Sequence, residues 1–205
     1  MPSALILIAE GTEESEFTIV YDLLVRASVS TTSALVNSSS SSCNYVTCSR
    51  GVRIVPDLTL TDLTGGKSFD YDCIVIPGGA GGAKAIAEKE SVTDLIAAMY
   101  GKGKIVAAIC AGTLAIKAAG VGKDAAVTSH PSVKAELDKE YTYKEERVVV
   151  SDKLVTSRAP GTAFEFALTL VEMLVGKDKR KEVEGGLLLP TGSMGVEESS
   201  PDQVN

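Results

Sequence analysis

Histidine and cysteine are scarce in this 205-residue chain, and their scarcity removes whole classes of chemistry. His130 is the only imidazole, and the four thiols, Cys43, Cys48, Cys73 and Cys110, contain no Cys-x-x-Cys pair. Transition-metal sites recruit several imidazoles or thiolates at close spacings, so no metal is expected, and a chain of this size folds without disulfide staples. Long apolar stretches are missing too. The run near the start, Ala4–Ala9, is far shorter than the ~20 residues of a membrane span. It lacks a basic flank and is followed by Glu10, Glu13 and Glu14 rather than a small-residue cleavage site, so no secretory signal is read and a cytoplasmic location is expected. Positive charge is in deficit, with 20 Lys+Arg against 27 Asp+Glu and a net charge of −7. Neither nucleic acid nor an anionic membrane is an expected partner. The dinucleotide fingerprint Gly-x-Gly-x-x-Gly does not occur, nor does the complete P-loop spacing.

What is present reads as one medium domain with a buried core, since 44% of the residues are hydrophobic and 23% charged. Short apolar, β-branched runs alternate with helical periods, the rhythm of an α/β fold with central parallel strands. Strands are expected at 4–9, 29–36, 51–55, 73–76, 105–109, 126–128, 147–150 and 154–156, several of them continuous apolar runs of the kind buried on both faces. Helices are expected at 14–27, 83–88, 92–102, 114–119, 132–139 and 161–175, the last with Phe164, Leu168, Val171 and Val175 as its packing stripe. The domain is drawn as residues 1–190. It is interrupted by a serine-rich surface loop at Asn37–Ser42, too polar to repay the entropy of ordering, and followed by a polar tail, Thr191–Asn205, that carries three of the net negative charges.

One stretch has the layout of a reactive centre. The apolar run Ile105–Ile109 delivers Cys110, Ala111 and Gly112 into a helical segment, a strand, sharp turn and helix that would expose a nucleophile at the carboxyl edge of the sheet. Unpaired amides at the helix start favour thiolate, so the Cys110 pKa is expected below that of the other three thiols. A free cysteine is equally a small core hydrophobe, and this stretch alone does not separate the two readings. The turn Pro77-Gly78-Gly79 follows another apolar strand and offers backbone amides to a charge beside Cys110. Glu16 aligns with Val20 and Leu24 at i+4 steps, facing the packed side, unlike Glu13 and Glu14, which complement the helix dipole in water. A carboxyl in such a pocket has its pKa raised and shuttles a proton; the plain alternative is a solvated glutamate at a helix start. His130 precedes Pro131 at a strand end, where α/β sheets collect catalytic residues, although a lone histidine is more often structural.

These signals coincide in order. Gly11-Thr12-Glu13-Glu14-Ser15-Glu16, Cys48-Ser49-Arg50, Ile76-Pro77-Gly78-Gly79, Ala107-Ala108-Ile109-Cys110-Ala111-Gly112, Thr128-Ser129-His130-Pro131 and Thr156-Ser157-Arg158-Ala159-Pro160-Gly161-Thr162 together resemble the Parkinsonism-associated protein deglycase branch of the ThiJ/PfpI superfamily, from Ala4 to about Pro190. The resemblance implies a flavodoxin-like three-layer sandwich, as in class I glutamine amidotransferases, that forms a homodimer. It implies Cys110 as reactive cysteine, Glu16 hydrogen-bonded to its sulfur, His130 nearby, and the amides of Gly79 and Ala111 as oxyanion hole. The implied substrates are methylglyoxal, related 2-oxoaldehydes and early glycation adducts, without glutathione, metal or other cofactor. Arg26 and Arg50 are implied as anion contacts supplied from two subunits. Three departures stand out: Ala80 where some members carry a polar side chain, Val55 where close relatives have a second cysteine, and the inserted serine loop. Two further readings use the same residues: a redox sensor or chaperone acting through oxidation of Cys110, and a Cys/His peptidase or amidotransferase-like hydrolase, which would need an acid to orient His130.

Overall fold

The centre of the protein is a strand buried on both faces. In β1 (Ser3–Ile8) the side chains of Ala4, Ile6 and Ile8 enter one apolar cluster and those of Leu5 and Leu7 another, the period-2 alternation of a sheet covered on both sides. The computed structural model describes residues 1–36 and 45–190; the serine run Asn37–Ser42, Cys43 and the tail Thr191–Asn205 lie outside the described residues. After β1 come α1 (Glu14–Arg26), β2 (Ser30–Leu35), β3 (Val46–Thr47), β4 (Arg53–Ile54), β5 (Leu58–Thr59), β6 (Cys73–Ile76), α2 (Ala80–Ala87), α3 (Glu90–Gly101) and β7 (Ile105–Ile109). The second half contains α4 (Thr113–Ala118), β8 (Ala126–Val127), α5 (Lys134–Leu137), β9 (Thr142–Tyr143), β10 (Val148–Ser151), β11 (Leu154–Ser157), α6 (Ala163–Val175) and α7 (Lys177–Leu187).

Among the described residues, seven strands form the main sheet in the order β10-β11-β7-β6-β1-β2-β5, parallel throughout except for the antiparallel β10 edge. Helices α1 and α6 cover one face and α2, α3 and α4 the other, which is the flavodoxin-like three-layer sandwich. The chain builds outward from β1 through β2 to β5, then returns to place β6 on the other side of β1. Strand order therefore reverses beside β1, and a crevice opens at the carboxyl ends of β1 and β6, where open α/β sheets bind ligands.

Several expectations need correction. The strand expected at 51–55 is β4, which pairs only with β3 in a separate antiparallel ribbon, and the strand expected at 126–128 is β8, which pairs with β9 outside the main sheet. The helix expected at 132–139 is a 3₁₀ turn followed by the single turn α5. Helix α7 carries no apolar stripe and was not expected; it buries Val183 and packs on α6. In α6 one residue of the expected stripe departs from the packing face. Leu168 and Val171 of that stripe are buried, together with Phe166, Ala167 and Leu170, and Val175 packs on the core, whereas Phe164 is 36% exposed, because the helix is apolar on nearly every side and its period alone does not choose where the face begins.

That departure is measurable. Phe166→Ala is expected to destabilise the fold by ~3–5 kcal/mol and Phe164→Ala by under ~1 kcal/mol in urea unfolding. The reverse order would restore the stripe read from the sequence.

Candidate active site

The crevice is assembled by reciprocal hydrogen bonds between the exits of β1 and β6. Glu13 N–H donates to Gly78 O at 3.0 Å, and Gly78 N–H donates to Glu16 Oε2 at 2.7 Å. Glu13 is the N-cap of α1: its carboxylate accepts from Glu16 N–H at 2.7 Å and from Ser15 Oγ at 2.8 Å, fixing the turn that carries Glu16. Glu14 is not the solvated glutamate expected. It is buried and accepts from Ser49 Oγ at 2.9 Å and Arg50 N–H at 2.8 Å, tying the β3–β4 ribbon to the start of α1. Burial opposes its charge, but these donors prevail and hold its pKa below the ordinary carboxylate value.

Glu16 has no exposed surface, and Val20 and Leu24 are buried on the same side of α1, as the i+4 spacing predicts. Burial pushes its carboxyl up to about 7 against the Gly78 amide and the Cys110 contact, both of which lower it. Oε1 has no hydrogen-bond partner among the described residues, and the Cys110 side chain interacts with the carboxyl. Gly78 makes this approach possible. A Cβ there would fall 2.7 Å from Cys110 Cβ, 2.7 Å from Glu16 Oε2 and 3.1 Å from Cys110 Sγ, so even alanine would separate the acid from the thiol. The composition of the turn identified a flexible, ligand-approaching loop but not this packing role.

Cys110 sits where β7 ends and a 3₁₀ turn leads into α4, with φ +62, a left-handed backbone costing ~1–3 kcal/mol for a residue other than glycine. Its carbonyl accepts from Thr113 Oγ1 at 2.9 Å and His130 N–H at 3.4 Å, which hold the elbow. The amides of Ala111 and Gly79 both donate toward its sulfur. Gly79 itself has φ +87, and a Cβ on it would collide with Gly11 O.

The thiol is not lowered as the elbow alone suggests. Burial, followed by the Glu16 carboxylate, pushes it up to about 12, and the Ala111 and Gly79 amides only partly oppose this. Cys48 is raised too, to about 11, chiefly by burial, so acidity does not set Cys110 apart from it. What the pocket penalises is two negative charges side by side. With the proton on Glu16 the thiolate is the sole anion, facing two amide donors, and the pair carries one charge whichever member holds the proton.

His130 joins the site through its backbone. Its ring Nδ1 faces Ser132 Oγ at 2.8 Å and accepts from Ser132 N–H at 3.2 Å, so the neutral ring is assigned its proton on Nε2. Among the described residues no carboxylate hydrogen-bonds this ring, which removes the orienting acid that a Cys/His hydrolase requires. Arg50 lies on the ribbon beside the start of α1, its guanidinium donating to Ser49 O. Arg26 does not reach the site of its own chain: ten residues beyond Glu16 on one helix, roughly 15 Å along the axis, it pairs with Asp22 at 2.6 Å. Among the described residues no cluster of His, Cys, Asp and Glu could hold a metal ion, and no helix is long and apolar enough to cross a membrane.

The raised Glu16 carboxyl makes stability depend on pH with a definite sign. Its pKa goes from an ordinary 4.5 to about 7 on folding, so the native state binds the extra proton. The associated stability is complete below about pH 4.5 and lost as pH rises to about 7, a change of ~3 kcal/mol. Glu16→Gln should abolish it: chemical denaturation from pH 4.5 to 8 should show the variant gaining on the wild type by about that amount. A difference that stays flat with pH would place the Glu16 carboxyl in contact with solvent.

With the geometry described, the chain can be set beside known proteins. Residues 2–173 match the DJ-1/PfpI family. The protein dj-1beta of Drosophila melanogaster is 43% identical over 188 residues, 91% of this chain and 97% of that one. Its crystal structure superposes with a TM-score of 0.86 at 42% identity, covering 92% of this chain and 98% of that chain. The glutathione-independent glyoxalase DJR-1.2 of Caenorhabditis elegans is 41% identical over 179 residues, 86% of this chain and 91% of that one. By match, identity and fold, the chain belongs to the DJ-1/PfpI family.

Proposed function

We propose that the protein is a cysteine-dependent, cofactor-free glyoxalase that converts methylglyoxal and related 2-oxoaldehydes to 2-hydroxy acids, and acts by the same chemistry on early glycation adducts. The observation that carries the reading is the convergence on one sulfur of two backbone amides and a fully buried carboxyl raised to about 7, which both takes and returns a proton near neutral pH. The name of the C. elegans relative supports it.

The reaction is an internal redox step that needs only water. Glu16 takes the Cys110 proton, and the thiolate adds to the aldehyde carbon, moving the C=O electron pair onto oxygen, where the Gly79 and Ala111 amides receive the charge. Glu16 protonates that oxygen to give the hemithioacetal. It then removes the hydrogen of the former aldehyde carbon as a proton, and the electron pair passes through an enediol to the neighbouring ketone carbon, which is reprotonated. The former aldehyde carbon is oxidised to a thioester, and the ketone is reduced to an alcohol. Water cleaves the C–S bond, releasing the 2-hydroxy acid and the thiol.

A second reading, a peroxide sensor, is favoured by one feature. Glu16 Oε1 is free of other donors, and when protonated it can donate to a sulfinate oxygen on Cys110. Incubation of the protein with methylglyoxal in the absence of glutathione, assayed for lactate, separates the two. The wild type should produce lactate, Cys110→Ser none, and Glu16→Gln roughly 10²–10⁴-fold less than the wild type. Negligible wild-type turnover with ready sulfinate formation would favour the sensor, and near-normal turnover of Glu16→Gln would take Glu16 out of the mechanism.

We further infer a homodimer of a single 1–190 domain working in the cytoplasm, with α1 and the Cys48–Arg50 segment at the twofold boundary. Val25 on α1 and Val52 on the ribbon are each half exposed, apolar surface suited to such a contact. Across it, Arg26 of one subunit and Arg50 of the other would flank an anionic substrate. Light scattering at micromolar concentration should give a dimer that survives deletion of Thr191–Asn205; a monomer would refute the interface.

A further inference from the structure

A cavity of about 640 Å³ lies between α2, α4 and the 3₁₀ turn preceding α5, and its inner end is lined by the chain neighbours of Cys110 and Gly79 rather than by the sulfur itself. Its apolar wall begins at the two residues that adjoin the thiol: Ala111, whose amide donates to the sulfur, and Ala80, which follows Gly79. From there it continues outward over Leu114 and Ala118, at i+3 and i+7 from Ala111, and over Ala87, at i+7 from Ala80, to Val133 on the far side. Small side chains on both helices leave the space open, and its volume lies within the range of small-molecule pockets. Ala80 keeps the inner end of the groove open, since a larger side chain at that position would fill it.

The rim decides the charge of the occupant. Lys84 Nζ lies 3.7 Å from Glu88, and Lys117 Nζ donates to Glu136 O at 2.7 Å and lies 3.7 Å from Glu140. With Glu88, Glu136 and Glu140 set against Lys84 and Lys117, the rim carries a net negative charge and disfavours a phosphate or a second carboxylate. Apolar walls with neutralised cations fit an uncharged hydrocarbon group.

We propose that this groove receives the non-reacting end of the substrate, so that the protein prefers 2-oxoaldehydes bearing an aryl or branched alkyl group to methylglyoxal. The proposal rests on the glyoxalase reading and deepens it. The aldehyde carbon bonds to Cys110 as already described, while the substituent on the ketone carbon lies along Ala111, Leu114 and Ala118. Contacts of this kind act on kcat/KM and discriminate between substrates by about ten- to a hundredfold.

The test compares phenylglyoxal with methylglyoxal in the wild type, Ala118→Trp and Ala87→Trp, two substitutions that fill the groove from opposite walls and touch no reacting group. The wild type should show a kcat/KM ratio that favours phenylglyoxal, and each variant should lower that ratio by about tenfold or more. A ratio unchanged in both variants, including equal loss on both substrates, overturns the groove. A second measurement is independent of turnover: brief exposure to each aldehyde at neutral pH, followed by an alkylating agent and mass spectrometry of the Cys110 peptide. Phenylglyoxal should protect Cys110 at lower concentration than methylglyoxal in the wild type and lose that advantage in the variants. If the wild type turns over neither aldehyde, the glyoxalase reading fails, and the protection experiment alone decides the groove: equal protection by the two aldehydes overturns it.

Discussion

The 2.7 Å hydrogen bond from the Gly78 amide to Glu16 is the contact on which the rest of the site depends. It places a carboxyl with no exposed surface at the crevice of a sheet whose neighbouring strands are apolar, and so requires three things of the sequence at once. Position 78 must lack a Cβ, α1 must begin at a fixed residue, and the exits of β1 and β6 must lie side by side. The Glu13 cap supplies the second condition and the return of the chain across β1 the third. A conformationally strained cysteine then meets the carboxyl from β7, the next strand over.

The electrostatics of the site are those of a shared proton. A helix start and two amides are a modest attraction for a thiolate, smaller than the combined penalty of burial and an adjacent carboxylate. The helix-start argument fails for Cys110 in isolation because it treats the thiol as the sole titrating group. Taken with Glu16, the same amides have a clearer role, since they favour whichever arrangement puts the negative charge on sulfur. Nucleophile and proton carrier are thus one unit, and the backbone strain at Cys110 holds them in register.

Much of this was legible in the sequence, and the failures have physical causes. The uninterrupted apolar runs at 4–9, 73–76 and 105–109 reveal central parallel strands because both faces of each are covered, and the i+4 alignment of Glu16 with Val20 and Leu24 places that carboxyl inside. The family resemblance named Cys110, Glu16, Gly79 and Ala111 as one group, and they do converge. Glu13 complements the helix start as expected, but Glu14 departs from it because consecutive glutamates there have the composition of a solvated end; its partners, Ser49 and Arg50, are distant in sequence and brought in by the fold. The ribbon of β3 and β4 and the polar helix α7 have too few apolar residues to set a period. On α6 only Phe164 departs from the expected packing face, for the opposite reason, an excess of apolar residues.

The burial of the remaining described thiols has a consequence for selectivity. Cys73 lies within a central strand with no exposed surface, and Cys48 retains only 4%, whereas Cys110 is half-buried at an open crevice. Acidity does not single out Cys110 among these thiols; shielding does. An electrophile or oxidant arriving from solution is therefore sorted by access rather than by thiolate content, so encounter with the crevice governs which sulfur reacts. The fold that builds the reactive centre also keeps Cys48 and Cys73 out of reach, so of the described thiols Cys110 is the one that a reagent from solution meets first.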